Sequence, residues 1–330
     1  MIDSSWSGPQ LEPDVAGDHM EESQVIGWMQ KAAAEKVFAS AGKDFATLAE
    51  AAKHKGFTAV PLGLQMSTAF ANTIKRQSSK NVVGILPGKT HPDDIVLYSA
   101  HWDHFGHCSP VKGDDICNGA IDNATGVAAL VALAEANRTA GPPARSIVFL
   151  ALTAEESGLL GSAYYAANPV FPLAKTVGGV NMDALRMYGP TRDFVVTGAG
   201  KSELEDLVKP LAAAQGRTIV PEPTPEKGFY YRSDHFSFAK LGVPMFDGNA
   251  GDDVVVGGVA AGRAANQEYE DNHYHKPQDE YDPNWNWGAA LQDLDLYYAL
   301  GRELADGEVW PNWYPSAEFR AVRDKSRAAH

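Results

Sequence analysis

The residues best suited to chemistry fall in short blocks, and the first stands at the end of an apolar run. Ile95-Val96-Leu97-Tyr98 leads through Ser99-Ala100 into His101-Trp102-Asp103-His104, a histidine and a carboxylate two residues apart. Asp122 follows within Asn118-Gly119-Ala120-Ile121-Asp122-Asn123-Ala124-Thr125-Gly126. Glu155 and Glu156 stand in Thr153-Ala154-Glu155-Glu156-Ser157-Gly158, Asp183 follows Val180-Asn181-Met182, and a late segment supplies His275 with Asp279 four residues on. Imidazole and carboxylate donors of this kind suit a hard-to-borderline cation such as zinc.

Each block has a plainer reading. An acidic pair opening a helix gains a few tenths of a kcal/mol from the helix dipole and need do nothing else. If one carboxylate of the pair binds a metal, however, its neighbour points elsewhere and can act as a general base toward water. A lone histidine in a loop is ordinarily a surface residue, and His104, His107, His235 and His273 are read that way. His275 differs because Asp279 is placed to accept from its ring and fix its tautomer. The weight comes from position: three apolar runs in succession each deliver an acid or a histidine at the same end.

The elements that must carry these residues follow from periodicity. Residues 21–41 repeat apolar positions at threes and fours, which predicts a helix, and Asp44 is a suitable N-cap for a second one through Lys53. Loose alternation predicts a strand over 62–76 and another over 81–86. Continuous apolar strands are expected at 95–100, 146–152, 176–182, 194–197 and 243–246. Helices are expected at 126–137, 155–167, 202–215 (with Ser202 as N-cap), 236–240 and 288–304. Apolar strands alternating with helices define the α/β class: a central mixed, mostly parallel sheet with helices on both faces. In such sheets ligands sit beyond the carboxyl ends of the strands.

Bulk composition narrows the partners. Of 330 residues, 42 are Asp or Glu and 28 are Lys or Arg, a formal charge of −14. That balance argues against nucleic acid and against docking on an anionic membrane. No apolar stretch is long enough for a membrane span. The first 25 residues, acidic and polar, do not read as a signal peptide. Cys108 and Cys117 share one polar loop and are either free thiols or a local disulfide, the latter requiring an oxidising compartment.

Taken together the blocks resemble the M28 peptidases, zinc aminopeptidases with two metal ions. The residues that carry the resemblance are His101-Trp102-Asp103, Gly119-Ala120-Ile121-Asp122-Asn123-Ala124-Thr125-Gly126, Glu155-Glu156-Ser157-Gly158-Leu159-Leu160-Gly161-Ser162, Asn181-Met182-Asp183, and His275 with Asp279, all in the family's order. The resemblance implies a zinc-exopeptidase fold of the phosphorylase/hydrolase-like kind and two Zn2+ per chain. It implies Asp122 bridging both metals, His101 and Asp183 completing one site, and Glu156 and His275 the other. Glu155 would be the general base, with Asp103 and Asp279 as partners of their histidines. Tyr230-Tyr231-Arg232-Ser233-Asp234-His235 resembles the segment that places a tyrosine against the oxyanion. Both Tyr230 and Tyr231 are candidates, facing opposite ways on an extended backbone.

Ser5-Trp6-Ser7-Gly8-Pro9 looks like the end of a protease-associated domain inserted in larger members. The expected organisation is therefore a lead-in and helical segment over 1–58, a catalytic domain over 59–310 and a C-terminal tail over 311–330. The resemblance also implies export and peptide substrates, and it leaves the oligomeric state open. The expected function is removal of N-terminal residues from peptides. The alternatives are a single-zinc glutaminyl cyclase on a related fold and a non-catalytic binding module on the same fold.

Overall fold

The computed structural model describes residues 10–13, 27–71 and 73–328. The chain divides into two compact units, one chiefly Asp14–Ser78 and the other chiefly Ser79–His330.

In the first unit lie α1 (Lys31–Ser40) and α2 (Phe45–Ala51). Asp44 caps α2 as expected, its carboxylate accepting the Thr47 N–H at 2.7 Å. Phe38 and Phe45 meet edge-on with ring centres 5.2 Å apart. The helix expected from residue 21 is shorter: residues 27–30 are not helical, and 21–26 lie outside the described residues, as does Ser5–Pro9. Among the described residues, none of the strand expected over 62–76 forms. Alternation supplies side chains, but a strand also needs a neighbour for its backbone, and here Met66 and Ile74 stand 75% and 80% exposed.

The second unit runs β1 (Val82–Leu86), β2 (His91–His101), β3 (Gly106–Val111), β4 (Asp114–Cys117), α3 (Thr125–Ala140), β5 (Arg145–Leu152), α4 (Leu160–Ala167) and β6 (Thr176–Asn181). It continues with β7 (Asp193–Val196), α5 (Leu204–Ala214), β8 (Thr218–Val220), α6 (His235–Ala239), β9 (Met245–Phe246) and β10 (Gly248–Ala250), then α7 (Gly258–Asn272), α8 (Gly288–Asp306) and α9 (Arg320–Ala328). Five strands form a sheet in the order β1-β5-β2-β6-β9, parallel except for β1. The expected α/β architecture is thus present. Ser99 of β2 pairs with Leu150 on one side and Asn181 on the other, so the three central strands end nearly level.

Both faces of β2 are covered, which is why its sequence is apolar without alternation. Val96, Tyr98 and Ala100 pack with Leu130 and Leu133 of α3, Val208 of α5 and Leu296 and Leu300 of α8. Ile95 and Leu97 pack on the other side with Tyr165 of α4 and Phe238 of α6. Each such buried aliphatic side chain contributes about 1.5–3 kcal/mol. The Tyr98 hydroxyl donates to the Tyr297 carbonyl at 2.8 Å and occupies the notch left by the missing side chain of Gly301. Beside the main sheet stands a smaller one, β10-β7-β8, and a separate hairpin, β3-β4.

Several boundaries differ from expectation for local reasons. The helix expected from residue 155 begins at Leu160, because Ala154 and Leu159 adopt left-handed backbone and form a turn first. Ser202 does not cap α5; its backbone bridges to Trp313 while Glu205 gathers the N–H groups of Gly200, Lys201 and Ser202. The residues beyond 310 are tied into the unit: Trp313 is buried, its indole N–H donating to the Gly242 carbonyl, and buried Arg323 donates to the Val177 carbonyl. No helix among the described residues is long and apolar enough to cross a membrane.

Candidate metal centre

His101 is the last residue of β2 and is 1% exposed. Its Nδ1 faces the Asp103 backbone carbonyl at 3.1 Å, a partner that only an N–H can satisfy. Nε2 faces Asp122 Oδ1 and Asp183 Oδ1, each 3.2 Å away. Asp183 sits just past β6, ahead of Ala184 at φ +50°, and its other oxygen accepts the Ser233 hydroxyl at 2.7 Å.

Asp122 lies in an irregular turn before α3. The two glycines that bound its motif are required sterically. At Gly119, with φ +65°, a side chain would meet the Asp122 carbonyl and the His104 ring; at Gly126 it would meet Asn123 and the Met182 carbonyl. Asp279 fixes this turn, accepting the N–H groups of Ile121 at 2.9 Å and Asp122 at 3.0 Å. Asp122 Oδ2 is 3.3 Å from Nε2 of His275. His275 has φ +58° and stacks on Tyr274 with ring centres 3.7 Å apart.

Glu155 and Glu156 occupy the turn that follows β5, after Ala154 at φ +55°. Their N–H groups donate to the Asp103 carboxylate at 3.0 and 3.3 Å. Asp103 and Asp279 therefore pin backbone turns, a role beyond the ring contacts the sequence pointed to, and Asp103 Oδ1 lies 3.8 Å from His101 Nδ1. Glu156 Oε2 is 3.3 Å from His275 Nε2. Its Oε1 lies 2.6 Å from His104 Nδ1 without hydrogen-bond geometry, both atoms being buried and unpartnered. Left-handed residues next to Glu155 and Asp183, and at His275 itself, cost of order 1–3 kcal/mol each and are held by these contacts.

The charges are crowded. Burial first, then Asp183, Asp234 and Glu156, push the Glu155 carboxyl well up, against the pull of His101. Glu156 is raised by burial and by Asp122. Burial opposes ionisation of Asp122 too, but hydrogen bonds from His101 and His275 hold its carboxyl far below the usual range. Burial alone would lower the His101 imidazole, and Asp183, Glu155 and Asp122 outweigh it and raise it well above its ordinary value. Like charges held this close call for a cation. His101, Asp122 and Asp183 offer donor atoms within 4.8 Å of one another, and so do His104, Asp122 and Glu156. The unpartnered His104 and Glu156 atoms and this donor chemistry fit divalent metal.

Of the residues singled out from sequence, the structure gathers His101, Asp122, Glu155, Glu156, Asp183 and His275, with Asp103 and Asp279 beneath them. It adds His104, read as a surface histidine, whose side chain is only 6% exposed. The available signal was its place in the His-x-Asp-His run. His235, read the same way, is fully buried 3.3 Å from Asp247, at the start of α6. His107 is exposed as expected. Tyr230 and Tyr231 lie on a 3-10 turn rather than extended backbone. Tyr230 is buried among Phe319, Phe236 and Lys201, while Tyr231 is half-exposed. The structure does not bring either into the carboxylate cluster. Cys108 and Cys117 are joined as a disulfide, Cα atoms 5.9 Å apart, across the β3-β4 hairpin.

A mixed sheet with two overlapping histidine–carboxylate sets at its carboxyl edge defines an α/β protein with a candidate two-cation centre. Residues 81–299 match peptidase family M28, and the chain belongs to that family. Aminopeptidase NAALADL1 of Mus musculus is 32% identical over 132 residues, 37% of this chain and 16% of that protein. Aminopeptidase YwaD of Bacillus subtilis is 38% identical over 99 residues, 29% of this chain and 18% of that protein. The matched stretch is thus less than a fifth of either relative's length. Among solved structures, BSAP, a zinc aminopeptidase from Bacillus subtilis, superposes with a TM-score of 0.51 at 22% identity, over 69% of this chain and 51% of that one. That likeness is one of fold.

Proposed function

We propose that this chain is a zinc-dependent exopeptidase that removes N-terminal residues from peptides. The observation that carries the reading is Asp122, which turns one oxygen to His101 and the other to His275. Asp122 would be shared by two Zn2+, with His101 and Asp183 on one and Glu156 and His275 on the other; His104 stands against Glu156 as a further donor. When bound, such ions polarise the scissile carbonyl and acidify an attacking water. Glu155 takes that water's proton on its carboxylate and gives it to the leaving amine nitrogen. Burial among carboxylates raises its proton affinity, which suits the task. Asp103 and Asp279 keep the two turns from relaxing. Tyr230 and Tyr231, set in the aromatic cluster around Phe319, have no part in this reading. Export is part of it, because a Cys108–Cys117 link persists in oxidising compartments.

The test is a panel of aminoacyl-nitroanilides and N-acetylated peptides, assayed with and without chelator, alongside zinc analysis by mass spectrometry. Cleavage of free N-termini, lost on chelation and restored by Zn2+, is expected. Cleavage confined to N-acetylated peptides would sink the aminopeptidase assignment, and full activity with one zinc per chain would remove the shared role of Asp122.

A further inference from the structure

A cavity of about 460 Å³ adjoins the carboxylate cluster. Its wall includes Ile121, Leu185, His273 and Asp279, each one, two or four residues from Asp122, Asp183 or His275. The lining also includes the aromatic side chains of Tyr188, Tyr269 and Trp285. Tyr188 is anchored, its hydroxyl donating to the Gly251 carbonyl at 3.0 Å, and so is Tyr269, whose hydroxyl reaches Asp279 at 3.4 Å. Rigid walls beside reacting groups make a subsite rather than a void.

Among the described residues, the one cation in this wall besides histidine is Arg186. Its Nε is buried with no hydrogen-bond partner, and among the described residues no carboxylate forms an ion pair with its guanidinium. The acids lining the same cavity keep their charge but have other partners, and among the described residues none lies within ion-pair distance of Arg186. Asp279 holds the N–H groups of Ile121 and Asp122, Glu268 faces His273, Glu280 accepts from Asn118, and Asp282 accepts from Asn284. Asp293, close enough to feel the Arg186 charge, is taken by Arg217 and the Ala250 N–H. A partly buried guanidinium with no carboxylate in direct contact is costly, and its planar fork matches a carboxylate.

We infer that Arg186 is a specificity residue that receives a carboxylate of the substrate in this cavity. The inference rests on the peptidase reading for the nature of the ligand. A peptide carries such a group in two places, on an acidic side chain or at the C-terminus, and both present the same chemistry to Arg186.

Four matched peptides separate the sources: Ala-Ala-amide, Ala-Ala, Glu-Ala-amide and Ala-Glu-amide, followed by amine release. At least one carboxylate-bearing peptide should exceed the neutral amide in kcat/KM by tenfold or more. Arg186→Gln should collapse that ratio through KM, and Arg186→Lys should restore part of it. A gain for Ala-Ala alone assigns the terminal carboxylate, and a gain for a glutamyl peptide assigns the side chain. Equal rates across the four, or a preference that survives Arg186→Gln, would overturn the inference. Should none be cleaved, the peptidase reading fails by itself. Calorimetric titration of glutarate against glutaramide then decides the pocket, since loss of a glutarate preference of at least tenfold in Arg186→Gln supports the inference and no preference in the wild type refutes it.

Discussion

Asp122 makes a demand at the scale of single atoms, because its two oxygens face different histidines. An amide in its place offers one acceptor and one donor, and the donor would point at a cation or an imidazole. Asp122→Asn should therefore abolish peptide hydrolysis and lower zinc content at both sites together; loss of a single equivalent would contradict the shared role. Glu155 makes the complementary case. Glu155→Gln keeps the shape of the side chain and removes its basicity, so kcat should fall about 10²–10⁴-fold while zinc content, measured on the same preparation, stays that of the wild type. The donors were legible in the sequence because each followed an apolar run or stood in a glycine-bounded motif. His104 was not, since burial by the Gly119 turn and by His275 is a contact across distant parts of the chain. The backbone contacts of Asp103 and Asp279 were hidden for the same reason: a carboxylate near a histidine in sequence is also free to bind backbone N–H groups elsewhere.

The β3-β4 hairpin stands apart from both sheets and leads directly into the Asp122 turn. Closing a loop of this size with a disulfide is worth about 2–4 kcal/mol. Replacing Cys108 and Cys117 together by serine should lower the denaturation midpoint and speed amide exchange in residues 106–117 before the central strands exchange. Protection that is lost everywhere at once would place the hairpin in the global unfolding unit. Elements declared themselves where burial was one-sided or complete. The strands at β2, β5 and β6 were plain, whereas α7 was not predicted at all. Only Gly262 in α7 is buried, so its sequence carries no apolar stripe to read. The reverse failure occurred over 62–76, where alternation was present and, among the described residues, the backbone found no neighbouring strand.

For the molecule as a whole, a buried charge pair sets how stability responds to pH. Arg217 and Asp293 are both fully buried with atoms 2.7 Å apart, Arg217 also lying over the Phe194 ring. Burial pushes the Asp293 carboxyl up to about 6 from 3.8, with Arg217 pulling the other way. Because the folded value lies above the unfolded one, the contribution of this group is fully present below about pH 4 and fades as pH rises through 6. Arg217→Met removes the cation and leaves the carboxylate alone, at a cost of about 3–5 kcal/mol. Urea unfolding should show that loss at pH 8 and much less of it at pH 5, where Asp293 takes up a proton; equal losses at both would mean that packing, not charge, is what Arg217 supplies.

The notch at Gly301 sets a rule of exchange between a strand and a helix. Tyr98 fills the space that any larger residue at 301 would claim. Gly301→Ala on its own should destabilise, although alanine favours a helix over glycine by about 1 kcal/mol. Tyr98→Leu on its own should also destabilise, by emptying the notch and losing the bond to Tyr297. Combined, the two should cost less than the sum of their separate losses, and a double-mutant cycle would measure the difference. Volume at these two positions is held jointly, so a sequence drifting at one can survive only by following at the other.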